Sequence, residues 1–268
     1  MNMGEEFPEK LISTVNCKQG AVRAVRFNVG GDYCLTCGSD KSVRLWNPHR
    51  GIALKTYTGH GYEVLDAQSS SDNSQICSGG MDKTVMLFDV ATGKAVRKYR
   101  GHAGTVNCVK FNEESTLILS GSIDSTVRIW DCRTKKMEPI QKFLDFPHKN
   151  PNKKKFVLIR FFPRVRGGLT GFWGKGGEMM LNEYKGHKNN NYRLDSCLNV
   201  QDTHVLSGSE DGSVYIWGLV EAKILKKLAH GSDKAIHSLA FHPEDTCLLT
   251  ASMDKMYVWK SKYAPSRD

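Results

Sequence analysis

The feature that most constrains this chain is an aspartate that recurs at a nearly fixed interval. Asp40, Asp82 and Asp124 are 42 residues apart, and Asp211 and Asp254 are 43 apart. A hydroxyl residue stands four positions before each aspartate, and an aromatic residue follows each one by five or six positions. The hydroxyl residues are Thr36, Ser78, Ser120, Ser207 and Thr250, and the aromatic residues are Trp46, Phe88, Trp130, Trp217 and Trp259. Such a period indicates one structural unit that is repeated along the chain.

The clearest copy of the unit is the stretch 101–131. It contains three short runs rich in β-branched and apolar residues, at 106–111, 117–120 and 126–130, separated by polar turn residues. These runs predict a small antiparallel sheet. One such sheet has nothing to pack against, so the unit needs neighbouring copies of itself.

The repeated markers resemble WD repeats. Gly-His pairs stand at 59–60, 101–102 and 186–187, and a Trp-Asp pair ends the clearest copy at 130–131. The resemblance implies an all-β fold, a β-propeller with seven four-stranded blades. This chain shows five recognisable blades and one degenerate slot, and we expect a single domain over 1–268. The repeats lie at about 17–58, 59–100, 101–141, 186–228 and 230–263.

The two ends of the repeat array complement each other. Residues 10–16 form a predicted strand before the first unit, whereas the last unit ends on its third strand, at 256–259. We therefore expect the first strand to supply the missing outer strand of the last blade, which would remove two exposed sheet edges.

The resemblance also implies that the recurring polar residues form buried, hydrogen-bonded tetrads. Phe88 lacks the indole donor of Trp, so one tetrad should be a bond short, and the inverted His230-Gly231 leaves the last repeat uncertain. Hydrolase triads use the same residue types, but an enzyme needs one site and these residues recur. No catalytic residue, cofactor or metal site is therefore expected. The predicted tetrad residues are His60, Ser78, Asp82, His102, Ser120, Asp124, Trp130, His187, Ser207, Asp211 and Trp217.

The eight cysteines predict buried free thiols in a reducing compartment. Cys34 and Cys37 form the only Cys-x-x-Cys, and no second pair completes a zinc site. The start of the chain has no signal-peptide core, and Arg160 and Pro163 interrupt the apolar run at 156–165. We expect a soluble protein of the cytoplasm and nucleus.

The repeat pattern fails over 142–177, a divergent basic segment. Residues 142–185 hold ten Lys or Arg against three Asp or Glu, a net charge of +7 out of +10 for the whole chain. Three interpretations remain open: a nucleic-acid or nuclear-import patch, a solvated insertion, or the product of an altered exon or reading frame. The repeat pattern resumes abruptly after this segment, and this favours the altered exon or reading frame.

Several runs outside the generic markers resemble one group within the WD-repeat family. The runs are 19–28, 33–48, 59–67, 96–112, 117–133 and 183–195. The resemblance implies a non-catalytic scaffold that assembles components of the extracellular-signal-regulated (MAP) kinase cascade. The alternative is a subunit associated with the pre-mRNA splicing machinery, with RNA contact through the basic segment 149–166. The expected partners are signalling-kinase scaffold proteins or spliceosomal proteins, and direct binding of nucleic acid, a membrane or a small-molecule substrate is not expected.

The partner-binding face of such a propeller usually carries the Gly-His loops and the aspartate turns. Two sets of side chains should reach it: those at the mouth of the inner strands, and those directly before each turn aspartate. Apolar side chains at such tips have no evident core role. The predicted face consists of Arg23, Glu63, Leu65, Met81, Thr105, Asn107, Ile123, Arg193, Asp195, Glu210, His237 and Met253.

Overall fold

The computed structural model describes residues 7–144, 184–192 and 194–261. These residues form twenty β-strands in five four-stranded antiparallel sheets, and they contain no helix. The predicted all-β class and propeller architecture are confirmed. Nowhere in these ranges is there a helix with the length and hydropathy needed to cross a bilayer. Most of the divergent basic segment, residues 145–177, lies outside the described residues.

Each sheet is one blade, and we number the blades along the chain. Blade 1 contains β2 (Val22–Phe27), β3 (Cys34–Gly38), β4 (Val43–Asn47) and β5 (Ile52–Tyr57). Blade 2 contains β6 (Val64–Ser69), β7 (Gln75–Gly80), β8 (Thr84–Asp89) and β9 (Ala95–Arg100). Blade 3 contains β10 (Val106–Phe111), β11 (Leu117–Ser122), β12 (Thr126–Asp131) and β13 (Gln141–Leu144). Blade 4 contains β14 (Ser196–Leu198), β15 (His204–Gly208), β16 (Ser213–Gly218) and β17 (Ile224–Ala229). Blade 5 contains β18 (Ser238–Phe241), β19 (Cys247–Ser252), β20 (Lys255–Lys260) and β1 (Lys10–Asn16).

Blade 5 is completed by the first strand of the chain. β1 pairs antiparallel with β20, with Lys10 opposite Lys260 and Asn16 opposite Lys255. Val15 and Cys17 are buried at the end of this strand, in an apolar cluster shared with blade 1. The predicted pairing of the first strand with the last blade is confirmed.

The recurring aspartate has a local structural reason. In blades 1 to 4 its Oδ1 accepts the backbone N–H of the residue two positions later, at 2.9 to 3.2 Å. The residue between them has left-handed backbone, with φ of 67° at Lys41 and 64° at both Lys83 and Ser125. An aspartate side chain that bonds forward in this way stabilises a tight turn between two strands. Blade 5 has a turn one residue shorter, in which Ser252 lies opposite Lys255.

The core lies between the blades. Four apolar clusters join blade 5 to blade 1, blade 1 to 2, blade 2 to 3, and blade 4 to 5. Each is built on fully buried side chains such as Tyr57, Phe88 and Trp130. Within the ranges that the structure describes, no such cluster joins blade 3 to blade 4, and residues 145–183 connect those two blades.

Candidate functional site

The predicted hydrogen-bonded tetrad of blade 3 is fully formed. Trp130 Nε1 donates to Ser120 Oγ at 2.8 Å, and Ser120 Oγ lies 2.7 Å from His102 Nε2. His102 Nδ1 lies 2.9 Å from the carboxylate of Asp124. Because an ionised carboxylate can only accept, Nδ1–H is the donor in this bond. The indole donor thus begins a relay that ends on the turn aspartate.

Blades 2 and 1 contain variants of this relay. His60 lies 2.7 Å from Ser78 and 3.0 Å from Asp82. Phe88 replaces the tryptophan of blade 3 and has no indole N–H, so this relay is one hydrogen bond short, as predicted. In blade 1 the histidine position is occupied by Gln19, which sequence reasoning missed. Its amide accepts from Thr36 and donates to Asp40 at 3.3 Å, and Trp46 donates to Thr36 at 2.7 Å.

The tetrad predicted for blade 4 is not formed, which corrects that expectation. Trp217 Nε1 donates instead to the backbone oxygen of Lys185 at 3.0 Å, and Asp211 accepts from Tyr215 and Lys227, both at 2.8 Å. Ser207 Oγ lies 3.4 Å from the backbone oxygen of Asp195. His187 Nδ1 is buried without a hydrogen-bond partner in the described part of the chain.

Histidine spacing explains which relays form. The histidine stands 22 residues before the turn aspartate in blades 2 and 3, but 24 residues before it in blades 4 and 5. The two extra residues displace the ring from the turn. In blade 5, His230 Nε2 still lies 2.6 Å from Thr250, and Trp259 donates to Thr250 at 3.1 Å. The turn aspartate Asp254 does not take part in this hydrogen-bonded relay.

The relay aspartates are held in their ionised form. Burial alone would raise the pKa of Asp124, but hydrogen bonds from Thr126, His102 and the amide of Ala103 outweigh it and keep that pKa well below its usual range. Burial lowers the pKa of His102, and it lowers the pKa of His230 to about 4. The imidazoles are therefore neutral near pH 7, as a donor–acceptor relay requires.

The Gly-His loops and the aspartate turns lie at one end of the propeller, which we call the upper face. The turns place three apolar side chains in solvent on it: Met81, Ile123 and Met253 are 45%, 47% and 48% exposed. Backbone bonds fix these tips against the loops that enter the inner strands, from Met81 to Glu63 at 2.9 Å and from Ile123 to Thr105 at 3.0 Å.

Other predicted face residues are placed at the rim of the inner strands. Arg23 and Glu63 form an ion pair at 2.9 Å between blades 1 and 2. Leu65 and Thr105 are half-buried. His237 is also half-buried, with its ring 5.4 Å from that of Tyr192, and burial lowers its pKa.

Three predicted face residues are not available to a partner. Asn107 is 4% exposed. Glu210 is buried because its carboxylate accepts the backbone N–H groups of residues 190–192 and so fixes the loop of blade 4. Asp195 lies at the axis of the propeller, where Arg26 holds it. Arg193 lies outside the described residues.

Sequence reasoning missed two aromatic residues of the upper face. Tyr62 and Tyr192 are 64% and 54% exposed, and they lie in the loops that follow the Gly-His pairs of blades 2 and 4. Lys41 Nζ lies 5.8 Å from the centre of the Tyr62 ring. The sequence could have predicted them, because each tyrosine follows a Gly-His pair in a polar loop where an aromatic side chain has no apolar neighbours to pack against.

The axis of the propeller contains a buried ion cluster. Arg26 of blade 1 lies 3.0 Å from Asp66 of blade 2 and 2.6 Å from Asp195 of blade 4, and Ser238 of blade 5 donates to Asp195 at 3.1 Å. Asp66 in turn accepts the amide of Val109 in blade 3 at 3.2 Å. We call Arg26, Asp66 and Asp195 the axial ion cluster. With the hydroxyl of Ser238 and the backbone amide of Val109, its hydrogen bonds and ion pairs reach all five blades.

The cysteines are free thiols, as predicted, and six of the eight are buried. Burial raises the pKa of both Cys17 and Cys247 to about 12, so these thiols stay protonated and unreactive. In the described ranges, no group of three metal-binding side chains is arranged to hold an ion.

Comparison with known proteins agrees with this geometry. Residues 63–264 match the family described as nucleolar protein 10-like, N-terminal domain, and residues 9–47 match the WD domain, G-beta repeat. The chain is 51% identical to human WD repeat domain-containing protein 83, over 98% of this chain and 96% of that protein. It is 51% identical to the Danio rerio protein of that name, over 95% and 93%. A Dictyostelium discoideum homolog is 29% identical, over 88% and 93%.

The alignment with the human protein also records a difference in length. It spans 303 positions, 35 more than the 268 residues of this chain, so at least 35 positions of that relative have no counterpart here. One repeat of this chain occupies 42 residues, so the deficit approaches one blade. WD-repeat propellers are typically non-enzymatic scaffolds. The chain belongs to the WD-repeat β-propeller family, in the group of WD repeat domain-containing protein 83.

Proposed function

We propose that this protein is a non-catalytic scaffold that binds other proteins on its upper face. The observation that carries the proposal is the set of apolar tips, Met81, Ile123 and Met253, which the turns hold in solvent at equivalent places in three blades. Exposed apolar side chains that recur on one face favour an interaction surface, and methionine adapts to different partners.

The polar chemistry of the blades supports a role without catalysis. Both ring nitrogens of His102 are occupied, by Ser120 and Asp124, and Ser120 is 0% exposed. A nucleophile and base in that position cannot reach a substrate. The same arrangement recurs in blade 2, which is expected of a framework and not of a single active site.

The finer proposal is that the partners are components of the extracellular-signal-regulated (MAP) kinase cascade, bound in the cytoplasm and nucleus. The support is the sequence resemblance described above, together with the extent of the match to the WD repeat domain-containing protein 83 group. A rigid ring with short loops can hold several partners at once, because its two faces and its rim are separate surfaces.

The experiment is a binding assay between the purified chain and purified kinases and scaffold proteins of the cascade. The double variant Met81→Asp, Ile123→Asp should abolish capture. The matched control is Val29→Asp, Val220→Asp, which introduces the same charges at exposed valines of the opposite face (54% and 80% exposed) and should leave capture intact. Equal capture by both double variants would contradict the proposed face.

The basic segment supports a second candidate, a subunit of the splicing machinery that contacts RNA through 149–166. Residues 142–185 carry seven of the ten net positive charges of the chain. Such contact predicts affinity for single-stranded RNA that falls steeply with salt. Replacing Lys153, Lys154 and Lys155 by Gln should then remove RNA binding without affecting capture of the kinases.

A further inference from the structure

Most acidic side chains of the upper face already have a partner. Arg44 holds Asp40 at 2.8 Å, Lys98 lies 3.5 Å from Asp82, and Lys227 holds Asp211 at 2.8 Å. Arg23 holds Glu63, Arg26 holds Asp195, and Glu210 is saturated by backbone amides. Asp124 accepts bonds from His102, Ala103 and Thr126. The remaining acids are Asp233, which lies 3.9 Å from Lys234, and Asp254.

The lysines of the same face are exposed and lack an acidic partner. They stand in the loops before the inner strands, beside the turn aspartates, and at the start of β20. No acid among the described residues forms an ion pair with any of the five: Lys18, Lys41, Lys83, Lys188 and Lys255. Five exposed lysines of this face are therefore available to an incoming partner, whereas Asp124 and Glu210 keep their negative charge but are engaged by hydrogen bonds.

The opposite face has the reverse character at its centre. The five loops that connect the first and second strands of each blade span 28–33, 70–74, 112–116, 199–203 and 242–246. They contain seven Asp or Glu and no Lys or Arg. The centre of the opposite face is therefore acidic, and an acidic partner is disfavoured there.

We propose that the upper face binds an acidic segment of a partner protein that also carries apolar side chains. This inference rests on the proposed scaffold function and names the chemistry of its partner. The carboxylates would contact the unpaired lysines. The apolar side chains would cover Met81, Ile123 and Met253, with Tyr62 and Tyr192 as aromatic contacts between the tips.

The composition of the face favours a protein over RNA. Exposed lysines and aromatic rings suit both ligands, but three of the five exposed apolar side chains are aliphatic or thioether groups. Such groups gain from burial against apolar side chains and offer no ring on which a base can stack. The aliphatic stems of the lysines add to the same apolar contact.

The test measures fluorescence anisotropy of a labelled synthetic peptide that alternates Glu or Asp with Leu or Phe. A peptide with Gln and Asn in place of the acids, and a labelled poly(U) strand, are the comparison probes. The acidic peptide should bind more tightly than the amide peptide, and its affinity should fall between about 50 mM and about 500 mM salt because the lysines are exposed. Tighter binding of poly(U), or equal binding of the two peptides, would overturn the proposal.

Variants locate the binding to the upper face. Lys41→Asn with Lys83→Asn removes two charges, and asparagine tolerates the left-handed backbone at both positions. We expect roughly fivefold weaker peptide binding, the sum of two exposed ion pairs. Lys135→Asn with Lys136→Asn, in the loop between β12 and β13 on the opposite side, is the matched control and should bind as the parent does. Thermal unfolding of each variant verifies that it is folded.

The two proposals fail in different ways. If Met81→Asp with Ile123→Asp abolishes capture of the kinases while the lysine variant captures them normally, the scaffold face stands and the acidic partner chemistry is wrong. If neither double variant changes capture, the proposed face itself is wrong. Loss of capture in both supports the two proposals together.

Discussion

The two histidines with different spacing offer a matched test of the relay. His102 is buried and bonds both Ser120 and Asp124, whereas His187 is in the equivalent loop of blade 4 and bonds neither. Replacing each by alanine removes the same atoms in two blades of the same protein. The difference in stability therefore reports the hydrogen bonds of the relay and not the loss of a ring in general.

The structure gives the expected magnitudes. In His102→Ala, the bond to ionised Asp124 is worth about 2 kcal/mol, the bond to Ser120 about 1 kcal/mol and the edge contact of the ring with Trp130, at 6.0 Å between centres, about 1 kcal/mol, a loss of about 4 kcal/mol. His187 contributes mainly the edge contact of its ring with Trp217, at 5.3 Å between centres, worth about 1 kcal/mol. For a chain of this size the melting temperature should fall by about 12 °C and about 3 °C respectively.

Thermal unfolding followed by circular dichroism, with urea unfolding as a second measure, checks both values. His102→Gln should recover much of the loss, because Gln19 already makes the same bonds in blade 1 through its amide. Equal losses for His102→Ala and His187→Ala would refute the relay as a source of stability. Failure of His102→Gln to recover stability would refute the equivalence with Gln19.

The closing strand, the axial ion cluster and His230 each give a further expectation. Deleting residues 1–16 leaves one edge of β20 without a neighbouring strand and should lower the melting temperature of the whole domain; an unchanged value would contradict closure by β1. Arg26→Leu removes the guanidinium that forms ion pairs with both Asp66 and Asp195, and should cost about 3–5 kcal/mol in urea unfolding, more than Arg26→Lys. The buried imidazole of His230 has a pKa of about 4, against 6.5 when unfolded. The contribution of neutral His230 to the free energy of unfolding is therefore complete above pH 6.5 and should fall by about 2 kcal/mol by pH 5. In His230→Gln this loss of stability should be absent.

The period of the repeat was enough to predict the propeller and its closure. The aspartate that marks the period forms the turn itself, so its spacing reports the strand length directly. The first strand was predictable because the last unit ended one strand short. Both signals depend only on residue type and spacing, so they can be recognised without a structure.

The partners of the face were harder to predict, for reasons specific to each residue. Glu210 stands where other blades present the exposed Met81, Ile123 and Met253, but its carboxylate accepts backbone N–H groups of the blade 4 loop. Asp195 lies 16 residues before its turn aspartate, as the buried Asp66 does in blade 2, so it belongs to the axis and not to the rim. The contact between Arg26 and Asp195 joins residues 169 positions apart, and no spacing rule connects them. Gln19 was missed because the expected marker was a histidine, although an amide supplies the same donor and acceptor.

The pairing of β1 with β20 also sets an order of events during protein synthesis. Lys10 is synthesised 250 residues before Lys260, the residue opposite it in the sheet. At about 5–20 residues per second, that interval lasts about 12 to 50 s. Throughout it β1 has no strand to pair with, and blade 5 does not exist. Blades 1 to 3 can fold as they emerge, whereas closure is a late event. The nascent chain therefore carries an unpaired strand for most of its synthesis, and such a strand can pair with another chain.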